Sequence, residues 1–558
     1  MTTQFEIRPG AYYDSVVLMQ LQKALAELPG VEDAGVVMAT PANKDLLLDG
    51  DLLPETARAA SADDLLIVVR GASEQAAVNA LGQVDALLAR RRATVAQEFR
   101  PRSLASAVKQ LSDAHWVLVS VPGRYAAGVA REALDLGRHV FLYSDNVDLK
   151  DEIELKRSAR EKGLLVMGPD CGTATINGIG LGFANRVRRG RIGLVGASGT
   201  GLQAIMAGIH NRGGGVSHAI GTGGRDLHAE VGAVTALQGL DLLARDDETD
   251  VIVLVSKPPA PEVAARLLGA AQACAKPVVV QFVGYAPPGR RIGNLRFATS
   301  LNEAAELAVA KTSNGRLEID NYQLPISNYY LRGLFSGGTL AYEATLALGA
   351  LLYPLYSNTP VHPAQALPEE PGAAHTILDL GADEFTVGRL HPMMDNDLRV
   401  RRMRQEAADA RVGMLLLDVV LGEGAHPDPA GELAPAIAEC REIAGERLEV
   451  VTVVIGTDED PQDCAGQVEQ LRNAGARVFE SVSAAVEYIS ARFAVPPAGS
   501  PPVAREVLTT PVAAINVGVE SFYESLKGQG AAALQVDWRP PAGGNEKMMD
   551  ILARMKRS

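Results

Sequence analysis

The chain of 558 residues has only four cysteines, Cys171, Cys274, Cys440 and Cys464. They lie far apart, and none forms a C-x-x-C pair. That removes a disulfide framework and a zinc knuckle. The nine histidines include no H-x-x-x-H or H-E-x-x-H spacing, so no metal site is expected. Apolar runs are short. Gly413-Met414-Leu415-Leu416-Leu417 is typical, whereas a bilayer span needs about 20 apolar residues. No membrane partner is therefore expected. The opening Met1-Thr2-Thr3-Gln4 lacks the basic-then-apolar pattern of a secretion signal, which points to a reducing cytoplasm. Basic residues are outnumbered, 53 against 67 acidic for a net charge of −14. That argues against nucleic acid as a partner. Small anions are not excluded, since a local site can oppose the net field.

Apolar residues make up 47% and charged residues 22%, the profile of a globular protein. At about 150 residues per domain the length suggests three or four domains. Residues 1–100 read as a small α/β unit, with strands over 5–8, 34–38 and 65–69. Asp14 could cap a helix carrying Val17, Leu18, Leu21 and Leu25 on one face. Arg90-Arg91-Arg92 closes the unit and reads as a solvated helix end. Residues 101–190 alternate strand and helix, as do 191–312 and 313–495, which predicts parallel sheets with covering helices. The runs 251–255, 278–283 and 414–420 have the near-continuous apolar character of buried parallel strands. Residues 496–558 open on a Pro/Gly linker and end in a short terminal segment. The expected fold class is thus α/β, with tandem doubly wound parallel-sheet domains behind a small N-terminal α/β domain.

In such sheets ligands sit beyond the carboxyl ends of the strands, so the loops there are the candidate sites. Ser198-Gly199-Thr200 and Ser336-Gly337-Gly338-Thr339 both stand between a strand and a helix. Small residues permit close approach, hydroxyls donate, and a helix N-terminus attracts anions. Ser, Gly and Thr are also ordinary helix caps, so both readings stay open. Neither loop is a Gly-x4-Gly-Lys P-loop. Gly196-Ala197-Ser198-Gly199 does not fit Gly-x-Gly-x-x-Gly, so a nicotinamide cofactor is not supported.

Several motifs carry a resemblance. Gly168-Pro169-Asp170-Cys171, Gly196 to Thr200, Gly221-Thr222-Gly223-Gly224-Arg225-Asp226 and Pro287 to Gly293 resemble, in order, segments of the α subunit of succinyl-CoA synthetases. Residues 330–495 resemble the CoA-ligase domain of the β subunit. Thr40-Pro41-Ala42-Asn43-Lys44, Ser144-Asp145-Asn146-Val147, Ser256-Lys257-Pro258-Pro259 and His391-Pro392-Met393 are similar to the FdrA family. The chain is identified as a member of that family. The resemblance implies a CoA-binding Rossmann-like domain over 101–190, a flavodoxin-like domain over 191–312 and a CoA-ligase-like domain over 313–495. It implies an acyl-CoA synthetase or, alternatively, one subunit of a carbamoyltransferase that turns oxalurate and phosphate into oxamate and carbamoyl phosphate in purine nitrogen recovery.

The synthetases carry phosphate on a histidine, and the matching position here is Asn294. Its amide lone pair is delocalised and makes no usable nucleophile. An ATP-grasp domain of about 200 residues has no room beside the domains assigned. The first 100 residues also lack the Gly-rich CoA loop, with Arg8-Pro9-Gly10-Ala11-Tyr12 in its place. Phosphate or carbamoyl phosphate is therefore the expected ligand, no organic cofactor is assured, and CoA is left as an open alternative. Carbamoyl transfer needs two anions held close and a polarised oxygen. Ser198, Thr200 and Thr339 are the expected phosphate donors. Asn294 would donate to a carbonyl, Arg225 or Arg290 would pair with a carboxylate, and His426 would act as acid or base. Cys171 reads as a packing residue. Companion subunits and self-association are expected, and a non-catalytic phosphate-binding scaffold is a further alternative.

Overall fold

Branched and aliphatic runs bounded by Gly, Pro and Asp form most of the strands in the computed structural model of the chain. It describes residues 2–11, 15–62, 64–88, 100–312, 326, 328–369, 372–495 and 501–540. Asp14, Arg90 to Arg92 and the start of the Pro/Gly linker lie outside the described residues. Two compact units divide the chain. One comprises 1–171, 179–182 and 509–558, and the other 172–178 and 183–508.

In the first unit, β1 (Thr2–Arg8), β2 (Val31–Met38) and β3 (Leu65–Gly71) form an antiparallel sheet in the order β1-β3-β2. Side chains alternate across β3. Leu65, Ile67 and Val69 pack with Leu18, Leu21 and Leu25 on one face, while Leu66 and Val68 pack with Leu47 and Leu52 on the other.

The same unit holds a parallel sheet built from β4 (Trp116–Val119), β5 (His139–Leu142) and β6 (Val166–Met167). Its remaining strands come from the far end of the chain. β21 (Ala513–Val517) pairs with β4, and β22 (Ala532–Val536) pairs with β21, giving the order β22-β21-β4-β5-β6. The terminal segment is thus part of this sheet rather than an appendage. Ala513-Ala514-Ile515-Asn516-Val517 is too poor in bulky residues to announce a buried strand. Small side chains suffice because Asn516, fully buried, ties the sheet together by donating to Val519 O at 2.8 Å and Gln535 Oε1 at 2.7 Å. β8 (Ile179–Gly182) also belongs to this unit, where Gln529 Oε1 accepts from Gly180 N at 2.7 Å.

The second unit opens with β7 (Thr173–Ile176). It continues through β9 (Arg189–Gly196), β10 (Val216–Gly221), β11 (Val251–Ser256), β12 (Val278–Phe282), β13 (Arg291–Ile292) and β14 (Leu295–Phe297). Their order is β13-β14-β12-β11-β9-β10-β7, with β9 to β12 parallel. A second parallel sheet runs β16-β17-β15-β18-β19-β20. Its strands are β15 (Tyr330–Phe335), β16 (Leu355–Ser357), β17 (His375–Asp379), β18 (Val412–Val420), β19 (Glu449–Ile455) and β20 (Arg477–Phe479). Helix Val482–Phe493 packs against helices Pro261–Gln272 and Gly338–Gly349. Gln272 Nε2 donates to Ser490 Oγ at 2.8 Å and Gly293 N to Glu487 Oε1 at 3.0 Å. In both sheets the strand order reverses beside the first strand, between β9 and β11 and between β15 and β18. Crevices open at such points.

Two strand histidines are buried as neutral rings. His139 Nδ1 accepts from Leu165 N at 3.0 Å and His375 Nδ1 from Leu331 N at 3.0 Å. Burial pushes each pKa down to about 3, helped at His139 by His115 and Arg138 and at His375 by Arg332. A depressed pKa means that the unfolded chain binds the proton first. The stabilisation is complete above about 6.5 and is lost as pH falls toward 3. Urea unfolding should therefore show stability declining across that window. His375→Asn, which keeps an acceptor near the Nδ1 position, should flatten the decline by about 3–5 kcal/mol. An unchanged pH profile in that variant would contradict the assignment.

Candidate functional site

The helix Gly199–Asn211 starts at the reversal between β9 and β11. Ser198 is its N-cap, and Ser198 Oγ accepts from Gly201 N at 3.2 Å. Ala197 N donates to Val255 O at 3.1 Å, which ties the loop to the end of β11 and so to Ser256 and Lys257. Gly199 is half-buried and Thr200 exposed. Among the described residues the N–H groups of Gly199 and Thr200 have no acceptor, as expected for the first turn of a helix. Thr173 Oγ1 lies 3.3 Å from where a Cβ on Gly199 would stand.

Gly221 to Asp226 form the neighbouring turn, where Thr222 N donates to Gly196 O at 2.9 Å. Gly224 is exposed and Arg225 half-buried. Asp226, fully buried, caps the helix Val234–Arg245 by accepting from Thr235 N at 3.2 Å and Ala236 N at 2.8 Å. Its charge is spent on that helix. Lys257, two residues after Val255, is exposed.

The loop at Ser336 differs from its sequence counterpart. Asp418, fully buried in β18, accepts from Ser336 N at 2.7 Å, Ser336 Oγ at 3.0 Å and Gly337 N at 3.0 Å. Arg399, 2% exposed, lies 3.3 Å from Asp418 Oδ1 and also donates to Asp418 O. Burial raises the Asp418 pKa, against the pull of Arg399 and of the Ser336 and Gly337 donors. Burial likewise lowers that of Arg399. A resident carboxylate thus occupies the donors of Ser336 and Gly337, leaving Gly338 and Thr339 at the helix start. Met393 Cε lies 3.3 Å from where a Cβ on Gly337 would stand.

The remaining predicted residues fall elsewhere. Asn294 stands at the amino end of the β12/β14 pair, away from the strand carboxyl ends, with Val278 N donating to Asn294 O at 3.0 Å. Its Nδ2 donates to Ala271 O, Cys274 O and Lys276 O at 2.8, 3.0 and 2.9 Å. It closes the end of helix Pro261–Gln272 and has no donor left for a substrate, so the expected catalytic role does not hold. Arg290 is exposed and paired with Glu303 at 2.8 Å. Thr299 and Arg290 hold the Glu303 carboxyl down at about 2. His426 lies near the Ser336 loop through Met393, whose O accepts from His426 N at 2.8 Å. Its ring is engaged on both sides, Nδ1 accepting from Asp428 N at 3.1 Å and Nε2 standing 3.2 Å from Glu432 Oε1.

In the first unit, Gly168 and Pro169 form the turn after β6. A Cβ at Gly168 would meet Leu142 O at 2.2 Å, so glycine is required there. Asp170 N donates to Ser144 O at 3.0 Å, and Cys171 is buried, as a packing residue would be. Sequence reasoning missed Asp418 as a structural anchor, although a lone aspartate inside a continuous apolar strand is a visible signal. It also missed Asp379 and the role of His391.

The family model described as "CoA binding domain" matches residues 187–284, which covers β9 to β12 rather than the expected 101–190. "CoA-ligase" matches 334–492, and "AllF, heavy metal-associated domain" matches 1–102. Residues 1–102 contain neither cysteine nor histidine. Among the described residues no group of three or more His, Cys, Asp and Glu is placed to hold a metal, so the donor set does not fit one. The chain is 41% identical over 499 residues to "Uncharacterized protein YahF" of Escherichia coli, covering 86% of this chain and 96% of that one. This chain belongs to the FdrA family. The FdrA-like scaffold is of the acyl-CoA synthetase and succinyl-CoA ligase type. The alpha 1 subunit of succinate–CoA ligase [ADP-forming] from Archaeoglobus fulgidus is 31% identical over 184 residues, which is 32% of this chain and 61% of that subunit. A solved dinucleotide-forming acetyl-coenzyme A synthetase 1 from Ca. Korarchaeum cryptofilum, in complex with phosphate and ADP, aligns with a TM-score of 0.29 at 18% identity, covering 68% of this chain and 82% of that one. No helix among the described residues is long and apolar enough to cross a membrane.

The difference between the two loops is testable by urea titration. Asp418→Ala leaves Arg399 buried without its partner and should cost about 3–5 kcal/mol. Thr200→Val should change stability by no more than about 0.5 kcal/mol. A cost under about 1 kcal/mol for Asp418→Ala would contradict the anchor.

Proposed function

We propose that this FdrA-like chain is one subunit of a carbamoyltransferase that converts oxalurate and phosphate into oxamate and carbamoyl phosphate. The observation that carries the reading is Asn294. It replaces the phosphate-carrying histidine of the synthetases, and its amide is locked onto carbonyls at the amino end of a sheet. Phosphate must then react as a free anion. The helix start at Ser198, Gly199 and Thr200 supplies two unpaired N–H groups, a hydroxyl and the positive end of a dipole, and Lys257 adds charge nearby. Gly223, Gly224 and Arg225 border the same edge. Phosphorolysis needs little more from the protein than orientation and charge stabilisation. Companion subunits and self-association are part of the proposal.

A second reading has its own support. The matches to CoA-binding and CoA-ligase models favour an acid–thiol ligase that uses CoA. The two readings separate on ligand response. Carbamoyl phosphate at 100 times its dissociation constant should stabilise the chain by roughly 2.7 kcal/mol, and sulfate by less. Thr200→Val should shrink the shift, because it removes the hydroxyl and keeps the shape. Chain incubated with labelled ATP and magnesium should acquire no acid-labile, base-stable label. Stoichiometric labelling, or a melting shift with ATP and CoA but none with carbamoyl phosphate, would replace the first reading by the second.

A further inference from the structure

The carboxyl edge of the β15–β20 sheet holds a second group of side chains, centred on Asp379 at the end of β17. Asp379 is 7% exposed. Asn358 clamps its backbone: Asp379 N donates to Asn358 Oδ1 at 2.9 Å, and Asn358 Nδ2 donates to Asp379 O at 3.0 Å. Oδ1 of Asp379 accepts from Gly381 N at 2.9 Å. Oδ2 has no donor among the described residues. It lies 2.8 Å from where a Cβ on Gly338 would stand, at the start of the 12-residue helix Gly338–Gly349. The N–H groups of Gly338 and Thr339 have no acceptor among the described residues. A nine-tenths buried carboxylate with one open oxygen is therefore aimed at open helix-start donors.

His391 completes the group. Its Nε2 lies 2.7 Å from where a Cβ on Gly381 would stand, and Ser336 O and Asp379 Oδ1 lie 2.8 and 3.1 Å from that same point. Only glycine at 338 and 381 lets these groups approach so closely. Nδ1 of His391 accepts from Met393 N at 3.3 Å, which puts the proton of the neutral ring on Nε2.

We propose that Asp379, His391 and the Gly338 helix start form a notch that binds a carboxamide, the ureido or amide end of the substrate. Asp379 Oδ2 accepts the amide N–H, while His391 Nε2–H and Gly338 N–H donate to the amide oxygen. An acceptor beside two donors matches an amide. It mismatches a carboxylate, which offers only acceptors and places like charge against Asp379. The choice of substrate rests on the carbamoyltransferase reading, whereas the preference for an amide rests on the notch alone.

Oxamate and oxalate are close in size and differ in one terminal group, amide against carboxylate. Titration calorimetry of the full chain near neutral pH should show oxamate binding about 10-fold tighter, the discrimination expected when a built hydrogen-bonding site meets the wrong group. Asp379→Asn can both accept and donate, so it should bring the two affinities within about 2-fold. His391→Gln should weaken oxamate several-fold with the melting point unchanged. Equal binding of the two anions by the native chain overturns the proposal, as does no oxamate binding at millimolar concentration. A preference that survives in Asp379→Asn overturns it as well. If that variant does not fold, native-level oxamate affinity in His391→Gln overturns it. A clear oxamate preference without phosphorolysis in the reconstituted complex would retain the notch and reject the carbamoyltransferase reading.

Discussion

A parallel strand that returns through a helix must start that helix at its own carboxyl edge. This constraint gathers the helix starts of each doubly wound sheet along one rim. Each start brings backbone donors that need partners, and what satisfies them decides what the rim can do. At Val234–Arg245 the partner is Asp226, and the helix is closed to ligands. At Gly338–Gly349 the preceding residues are taken by Asp418, itself held by buried Arg399, and the next acid, Asp379, leaves one oxygen open. At Gly199–Asn211 no carboxylate among the described residues intervenes. Two loops of similar composition thus differ in chemistry because of acids that stand more than eighty or forty residues away in sequence.

Much of the architecture was legible. Runs such as Val251–Ser256 and Val278–Phe282 are apolar because both faces of a parallel strand are covered, and they form strands within a residue or two of expectation. The alternation on β3 likewise follows from a sheet covered on both sides. What escaped was non-local. Ala513–Val517 carries no bulky run, so nothing local joins it to a strand four hundred residues earlier. Thr173–Ile176 pairs antiparallel with β10 and moves from the expected 101–190 domain into the next unit.

The candidate site was legible to the extent that local capping chemistry determines it. Ser198 behaves as the N-cap that its sequence suggests. Asn294 did not, because its alignment with a phosphate-carrying histidine says nothing about which carbonyls surround it. Three helix-end and loop carbonyls claim its amide. His426 stands after a buried strand, the place expected of an acid or base, yet both ring nitrogens are engaged with Asp428 and Glu432. His391, two residues before the backbone acceptor of His426, holds its Nε2 beside Gly381 instead, 2.7 Å from where a Cβ there would stand.

Within the FdrA family this chain has a scaffold of the acyl-CoA synthetase and succinyl-CoA ligase type, with Asn294 locked onto three backbone carbonyls. On the proposed carbamoyltransferase reading, phosphate reacts directly as a free anion. Phosphorus-31 NMR of the chain with its co-expressed companion subunits, given oxalurate and inorganic phosphate and neither ATP nor CoA, tests it most directly. A growing carbamoyl phosphate resonance matched by oxamate is the predicted result. An unchanged phosphate signal, with turnover appearing only when ATP and CoA are added, would contradict the account.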